Sequence, residues 1–140
     1  MTLLLRPLPR KGVFELPFWN YVSNNELRLQ QCSGCSHLRY PPGPSCPQCL
    51  CEKFTWKQLS GRGQVVAWTV FHRQYFPELP VPYTVLSVQT DEGPMLIGNL
   101  VGASPTSLRH GMAVRVAFET VANADGNWKI YQWEIDATQG

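Results

Sequence analysis

The sequence predicts a mainly β protein: a short N-terminal helix, a small cysteine ribbon and a C-terminal five-stranded barrel. Three observations predict it. Two Cys-x2-Cys pairs, Cys32/Cys35 and Cys46/Cys49, stand ten residues apart. After Gly61 the chain alternates apolar and polar residues between turn signals, the period of half-buried strands. Helical spacing is confined to one short stretch near the N-terminus.

The 140 residues suit one ordinary domain, or a small domain fused to another. We place the segment boundaries at 1–26 for an arm and helix, 27–60 for the ribbon and 61–140 for the barrel. Hydrophobic residues make up 44 % and charged residues 16 %, a globular rather than a disordered balance. Gly and Pro are read as turn punctuation between short strands.

Residues 1–12 (MTLLLRPLPRKG) read as a loose arm whose prolines break any helix. In LPFWNYVSNNE, Pro17 suits the first helical position, and Phe18, Tyr21 and Val22 then share a face. About two turns of helix are not stable alone. The aromatic face must dock on the chain's own body, on a ligand or on a partner. Phe18, Trp19 and Tyr21 are therefore candidate docking residues.

The ribbon is led in by LRLQQ and led out by FTWKQLS, both alternating, with the turn-rich RYPPGPS between the cysteine pairs. A two-residue gap lets both sulfurs of a pair reach one ion from a tight turn, and the second pair completes a tetrahedron. Cys32, Cys35, Cys46 and Cys49 are the expected ligands of one zinc ion, with iron or a metal-free thiol site as the alternatives. Four protein ligands leave no open position, so such a zinc is structural and activates no water. Cys51 reads as a spare thiol. His37, two residues after Cys35, is the alternative ligand. Neither pair is followed by the glycine that eases a left-handed turn, since Ser36 and Leu50 stand there, which predicts strain in both knuckles.

Five strands follow: QVVAWTVFH, YTVLSVQT, MLIGNLV, AVRVAFETV and WKIYQWEI. The loop RQYFPELPVP, with three prolines, separates the first two, and NADGN reads as the last hairpin turn. Five strands without a long helix, over about 75 residues, match a Greek-key barrel of the OB-fold type.

The apolar run of the opening MTLLL is broken by Arg6 and Pro7, well short of a secretory core, and no run approaches the ~18 residues of a membrane span. We expect a soluble, cytoplasmic protein. In a reducing compartment, cysteines are metal ligands more often than disulfides. The formal charge of +2 falls to about zero once four thiolates and a divalent ion are counted. That near-neutral balance, without any run of Lys or Arg, speaks against nucleic-acid binding.

No nucleophile elbow, phosphate loop or dinucleotide fingerprint is present, and His37, His72 and His110 lie in no recognised catalytic motif. No catalytic residue is assigned. Arg39, Arg62, His72 and Arg73 are the distinctive polar positions. With the ribbon folded over one edge of the barrel they would form a cationic cluster suited to phosphate.

The residues FW at 18–19, LRLQQCSGC, YPP, CPQC, the Gly-Arg-Gly turn at 61–63, PVPYTVLSVQTDEGP, IGNLVG and GMAVRVAFE, in this order, resemble the acyl-CoA-associated zinc-ribbon/OB-fold proteins, long grouped as a domain of unknown function. The resemblance covers about residues 17 to 135. It implies a rubredoxin-like zinc ribbon ahead of an OB-fold. It also implies a non-catalytic accessory subunit that scaffolds a thiolase-like enzyme (thiolase, aldolase or synthase) or an acyl-CoA hydratase, and helps acyl-CoA binding. Where the family often has an arginine after the double proline, this chain has Gly43, and Arg39 is the nearest substitute. Two other readings are weighed against this one. A nucleic-acid-binding zinc-ribbon/OB-fold module would stack bases on Trp68, Tyr75, Phe76 and Tyr83. A free-standing CoA-thioester enzyme would need a nucleophile or base that no motif supplies.

Overall fold

In chain order the elements are β1 (Leu4–Leu5), α1 (Glu15–Ser23), β2 (Arg28–Cys32), β3 (Leu38–Arg39), β4 (Phe54–Gln58), β5 (Arg62–Phe71), β6 (Tyr83–Thr90), β7 (Met95–Asn99), a 3-10 turn (Pro105–Ser107), β8 (Ala113–Asn123) and β9 (Gly126–Ile135). The structure is a computed structural model and describes residues 4–7, 9, 11–123 and 126–137. The tip of the expected NADGN turn and parts of the expected arm fall outside the described residues. Elsewhere the arm differs from expectation. Leu4 and Leu5 pair in parallel with Val121 and Ala122, so this stretch is a short strand added to β8 beyond the reach of β5.

Helix α1 starts two residues before Pro17. The proline stands in the first turn, where its missing N–H has no intrahelical acceptor to lose. Phe18 and Val22, one turn apart, are both buried, as the i, i+4 spacing predicts.

Strands β2, β3 and β4 form a three-stranded antiparallel ribbon in the order β3-β2-β4. The five long strands form the barrel. β7, β6, β5, β8 and β9 are hydrogen-bonded neighbours in that order, and all of these pairs are antiparallel. A register shift between Val65 and Ala67 bends β5 so that it serves both β6 and β8. Gly61, at φ +80, makes the turn into β5 and offers its carbonyl to the Val116 N–H.

The barrel closes differently at its last seam. Between β7 and β9 there is a single parallel bridge, Leu100 with Trp133. Side chains from β9 do the rest. The Tyr131 hydroxyl donates to the Ile97 carbonyl at 2.7 Å, and the Asn99 N–H donates to Gln132 Oε1 at 2.6 Å.

One apolar core runs through all three parts. Phe18 and Val22 of α1 meet Leu27, Leu29 and Leu59 of the ribbon segment, and these meet Val65, Leu86, Val88, Leu96, Val114 and Trp133 of the barrel. Each fully buried side chain of this size contributes about 1.5–3 kcal/mol. Trp133 is completely buried, and Gly98 makes room for it, since a Cβ there would stand 3.0 Å from the indole. Among the described residues no helix is long and apolar enough to cross a membrane.

Candidate functional site

The two cysteine pairs fold into matching knuckles. In the first, the Ser36 N–H donates to the Cys32 carbonyl at 2.9 Å, and the Gly34 N–H points at Cys32 Sγ at 3.3 Å. In the second, the Leu50 N–H donates to the Cys46 carbonyl at 2.9 Å, and the Gln48 N–H points at Cys46 Sγ at 3.4 Å. Ser36 and Leu50 both sit at φ +66, the left-handed conformation expected of a residue where glycine is usual. Each knuckle is fastened from outside. Cys32 N–H bonds to the His37 carbonyl, and Cys46 N–H to the Cys51 carbonyl.

The knuckles bring the sulfurs of Cys32, Cys35, Cys46 and Cys49 within 4.8 Å of one another. Across the pairs, Cys32 lies 3.5 Å from Cys49 and Cys35 lies 3.6 Å from Cys46. Four sulfurs about 2.3 Å from one tetrahedral zinc would be separated by just such distances. The donor set therefore fits the ion. Cys51 and His37 stand outside the converging group, although Cys51 packs close to Gly34. Cys32 and Cys46 are buried and Cys35 and Cys49 exposed, so the site sits at the ribbon's surface with one side sealed.

The thiols do not titrate alike. The Cys35 N–H, followed by that of Gly34, holds the Cys32 thiol down to about 6 against the opposing effect of burial. The Cys51 N–H pulls Cys49 down, but the neighbouring Cys32 and Cys35 sulfurs and burial outweigh it and push Cys49 up to about 12. Protons crowded into a four-sulfur cluster are shared unequally, and a divalent cation removes that conflict by taking their place.

The expected cationic cluster does not form. Arg39 is 5 % exposed, locked inside the ribbon by hydrogen bonds to Gln30 Oε1 at 2.9 Å and to the Gly43 carbonyl at 3.2 Å. Arg62 opens β5 while His72 and Arg73 follow its other end, and a ten-residue strand puts about 30 Å between them. Arg62, His72 and Arg73 are exposed, and the Arg73 guanidinium leans over the Tyr75 ring. Sequence reasoning treated Arg39 as a surface charge because alternation along a two-residue strand does not say which face is covered.

The aromatic helix residues also separate. Phe18 is buried among the rings of Trp19, Tyr40 and Tyr131. Tyr21 packs on Trp56 of β4, with the Arg28 guanidinium 5.0 Å from its ring. Trp19 stacks on Tyr131 and lines a groove of about 450 Å³ that opens along the β7–β9 seam, together with Tyr40, Tyr83, Val85 and Ile97. At one side Arg6 donates to Asn99 Oδ1 at 3.1 Å. Burial, reinforced by Tyr40, holds the Tyr131 phenol well above its ordinary range, so it stays a donor to Ile97.

The groove runs onto the outer face of β5, β6 and β7. By register that face carries Ala67, Thr69 and Phe71, then Tyr83, Val85 and Ser87, then Met95 and Ile97, with no charged side chain. Ile97 is 61 % and Met95 50 % exposed. The alternation in MLIGN, with Leu96 inward, was the signal that could have found this face.

Two family models match the chain. The ChsH2 rubredoxin-like zinc ribbon domain matches residues 19–54, and the ChsH2 C-terminal OB-fold domain matches residues 56–119. A probable enoyl-CoA hydratase alpha subunit of Thermomonospora curvata is 37 % identical over 112 residues, which cover 79 % of this chain and 34 % of that protein. The 3-oxo-4,17-pregnadiene-20-carboxyl-CoA hydratase alpha subunit of Mycobacterium tuberculosis is 34 % identical over 119 residues, covering 85 % and 37 %. The chain thus spans about a third of the length of either subunit. A DUF35 domain-containing scaffold protein of Pyrococcus furiosus is 30 % identical over 94 residues, covering 64 % and 66 %. Among solved structures, the Ltp2-ChsH2(DUF35) aldolase contains a chain that superposes with a TM-score of 0.80 at 29 % identity, covering 93 % of this chain and 98 % of that one. A DUF35-family protein of unknown function from Sulfolobus solfataricus shares the fold, with a TM-score of 0.62 at 14 % identity and coverage of 89 % and 87 %. With both domains matched in order on one barrel-and-ribbon frame, the chain belongs to the DUF35 family of ChsH2-type zinc-ribbon/OB-fold proteins.

Proposed function

We propose that this chain is an accessory subunit that binds and supports an acyl-CoA-processing enzyme, of thiolase-like or hydratase type, and does not itself perform the reaction. The observation that carries this reading is the uncharged outer face of β5–β7 with its adjoining aromatic groove. Exposed apolar side chains such as Ile97 and Met95 side by side are costly on a free surface and characteristic of a contact. Relatives named as hydratase alpha subunits, a scaffold protein and a chain of an aldolase complex support the same reading. Nucleic acid is disfavoured, because a face whose cation is Arg6 at the groove's edge offers too few phosphate contacts to follow a nucleic-acid backbone.

In this reading Cys32, Cys35, Cys46 and Cys49 hold one structural zinc ion. When bound it supplies rigidity rather than Lewis-acid chemistry, because four thiolates saturate it. The chain's own residues do the remaining work. Trp19 and Ile97 present apolar surface, Tyr131 and Gln132 hold the seam beneath them, and 1–26, 27–60 and 61–140 are the segments into which we divide the chain. Acyl-CoA reaches this chain at the groove, beside Arg6, while the partner enzyme supplies the catalytic groups.

The test is co-expression with the thiolase-like or hydratase-type enzymes of the same genome, followed by size-exclusion chromatography and a CoA-thioester assay. One of them should co-elute with the chain, and Ile97→Glu should weaken that complex at least tenfold, about 1.4 kcal/mol, while leaving the free chain folded. Partners that are soluble and fully active alone, with no complex formed, would sink the proposal.

A further inference from the structure

We propose that Tyr40 is the hydrogen-bond donor by which the groove along the β7–β9 seam recognises its ligand, an apolar molecule that offers an acceptor oxygen. The inference rests on the reading above in which acyl-CoA reaches this groove, and deepens it by naming the atom that selects the acyl group. At about 450 Å³ the groove is of small-molecule size. Its amide groups are already paired with one another. The Asn99 N–H donates to Gln132 Oε1 at 2.6 Å, and Asn99 Nδ2 donates to the Thr84 carbonyl at 3.1 Å. Arg6 and Gln132 Nε2 both donate to Asn99 Oδ1, at 3.1 and 3.4 Å. Aromatic and aliphatic side chains such as Trp19, Phe76, Val85 and Ile97 form the walls.

The phenols differ from these groups. Tyr131 donates its proton to the Ile97 carbonyl at 2.7 Å, and burial keeps that proton in place. The Tyr40 hydroxyl lies 3.4 Å from the Tyr131 hydroxyl. With the Tyr131 proton committed elsewhere, Tyr40 can only be the donor in this contact. A good O–H···O bond spans ~2.5–3.0 Å, so Tyr40 is a donor held in a poor bond. A ligand oxygen at ordinary distance takes that proton, whereas a ligand of the same shape without an acceptor leaves it poorly paired. The ribbon fixes the donor beforehand. Gln30, fully buried, accepts through Oε1 from Arg39 Nε at 2.9 Å and from the Gly43 N–H at 2.8 Å, and Arg39 also donates to the Gly43 carbonyl. These bonds tie down the chain on both sides of Tyr40, whose ring packs on Phe18 with centroids 5.6 Å apart. A donor ordered before the ligand arrives costs little to order on binding. Tyr83 is a further phenol on the groove, with its ring stacked on Phe71 at 4.9 Å, and provides the internal comparison.

The experiment uses the full chain and two probes of matched shape, 2-acetylnaphthalene and 2-isopropenylnaphthalene, in which a carbonyl oxygen replaces a methylene. Dissociation constants are read by ligand-observed NMR for the parent, Tyr40→Phe, Tyr83→Phe and Val85→Trp, with circular dichroism as the check on folding. Tyr40→Phe should weaken the ketone about fivefold relative to the hydrocarbon. Tyr83→Phe should keep the parental ratio, and Val85→Trp, which fills the groove, should weaken both probes. In the parent, the infrared carbonyl stretch of the bound ketone should lie below its value in hexane, a readout that needs no variant. An unchanged ratio in Tyr40→Phe overturns the proposal, as does a ratio lost in Tyr83→Phe instead. Parental affinity for both probes in Val85→Trp, or a bound carbonyl that absorbs as in hexane, overturns it too. If the parent binds neither probe, the groove is no ligand site, and the acyl-CoA part of the reading above falls together with Tyr40. A chain that binds the ketone through Tyr40 yet forms no complex with an acyl-CoA enzyme overturns the accessory-subunit reading and supports the role of Tyr40.

Discussion

The ribbon and the barrel are neighbours in one chain, but they are built on different principles. The barrel has strands of five to eleven residues and an interior of Val65, Leu86, Val88, Leu96, Val114 and Trp133. The ribbon has strands of two and five residues, and its own interior holds thiols, a glutamine and an arginine. A segment this short cannot bury enough apolar surface to hold itself together. It lends its leucines to the common core and gathers four cysteine sulfurs at its far end. On the proposed zinc reading, one chain divides its stability between solvent exclusion and coordination, and each half then answers to a different perturbation.

The sharpest way to break this contrast is at Cys46, the most deeply buried of the four thiols. Cys46→Ser should abolish stoichiometric zinc by elemental analysis and lower the melting temperature, while far-UV circular dichroism keeps the β signal of the barrel. An unaltered metal content would show that the second knuckle is not a ligand pair. In the barrel the counterpart is Trp133→Ala, expected to cost about 3–5 kcal/mol in urea unfolding with zinc stoichiometry unchanged in the folded fraction. Zinc loss in parallel with that destabilisation would mean the two regions are not separable.

Acid should distinguish them next. Zinc must displace protons from thiols, so its apparent affinity falls as pH falls. Above about 6 the Cys32 thiol is already ionised, whereas Cys49 keeps its proton up to about 12. Below about 6 the ion must also displace the Cys32 proton, so a plot of log affinity against pH should steepen there by about one proton. A competition titration with a chelator measures that slope, and a constant slope across pH 5 to 7 would contradict it. The smallest effect is expected at the seam. Tyr131→Phe removes the donor to the Ile97 carbonyl and should cost about 1–2 kcal/mol, with no change in metal release. A null result would mean that the seam is held by Trp133 and Leu100 alone.

What the sequence disclosed, and what it withheld, follows the same division. The converging cysteines and the five barrel strands are encoded locally, in x2 gaps and in alternation, so each was legible one segment at a time. Even the left-handed turns at Ser36 and Leu50 could be read from the missing glycines. The fate of Arg39 could not, because its burial depends on Phe54 and Gln30 meeting it across two other strands. Phe18, Trp19 and Tyr21 were grouped as docking residues in sequence, but the helix sends them respectively into the core, to the groove and onto Trp56. The pairing of Leu4 and Leu5 with β8 was hidden because two residues carry no period. The imagined convergence of Arg62 with His72 ignored only the length of the strand between them.

The closure of the barrel by side chains has a consequence for how the protein behaves in a crowded solution. A strand with unpaired amides and carbonyls along one side is an invitation to lateral stacking between molecules. On β7 the Ile97 carbonyl is already taken by Tyr131 and the Asn99 amide by Gln132. These two substituents act as stoppers, leaving a foreign strand fewer backbone groups to pair with. The molecule can thus keep a greasy face ready for company while denying that company a sheet to extend.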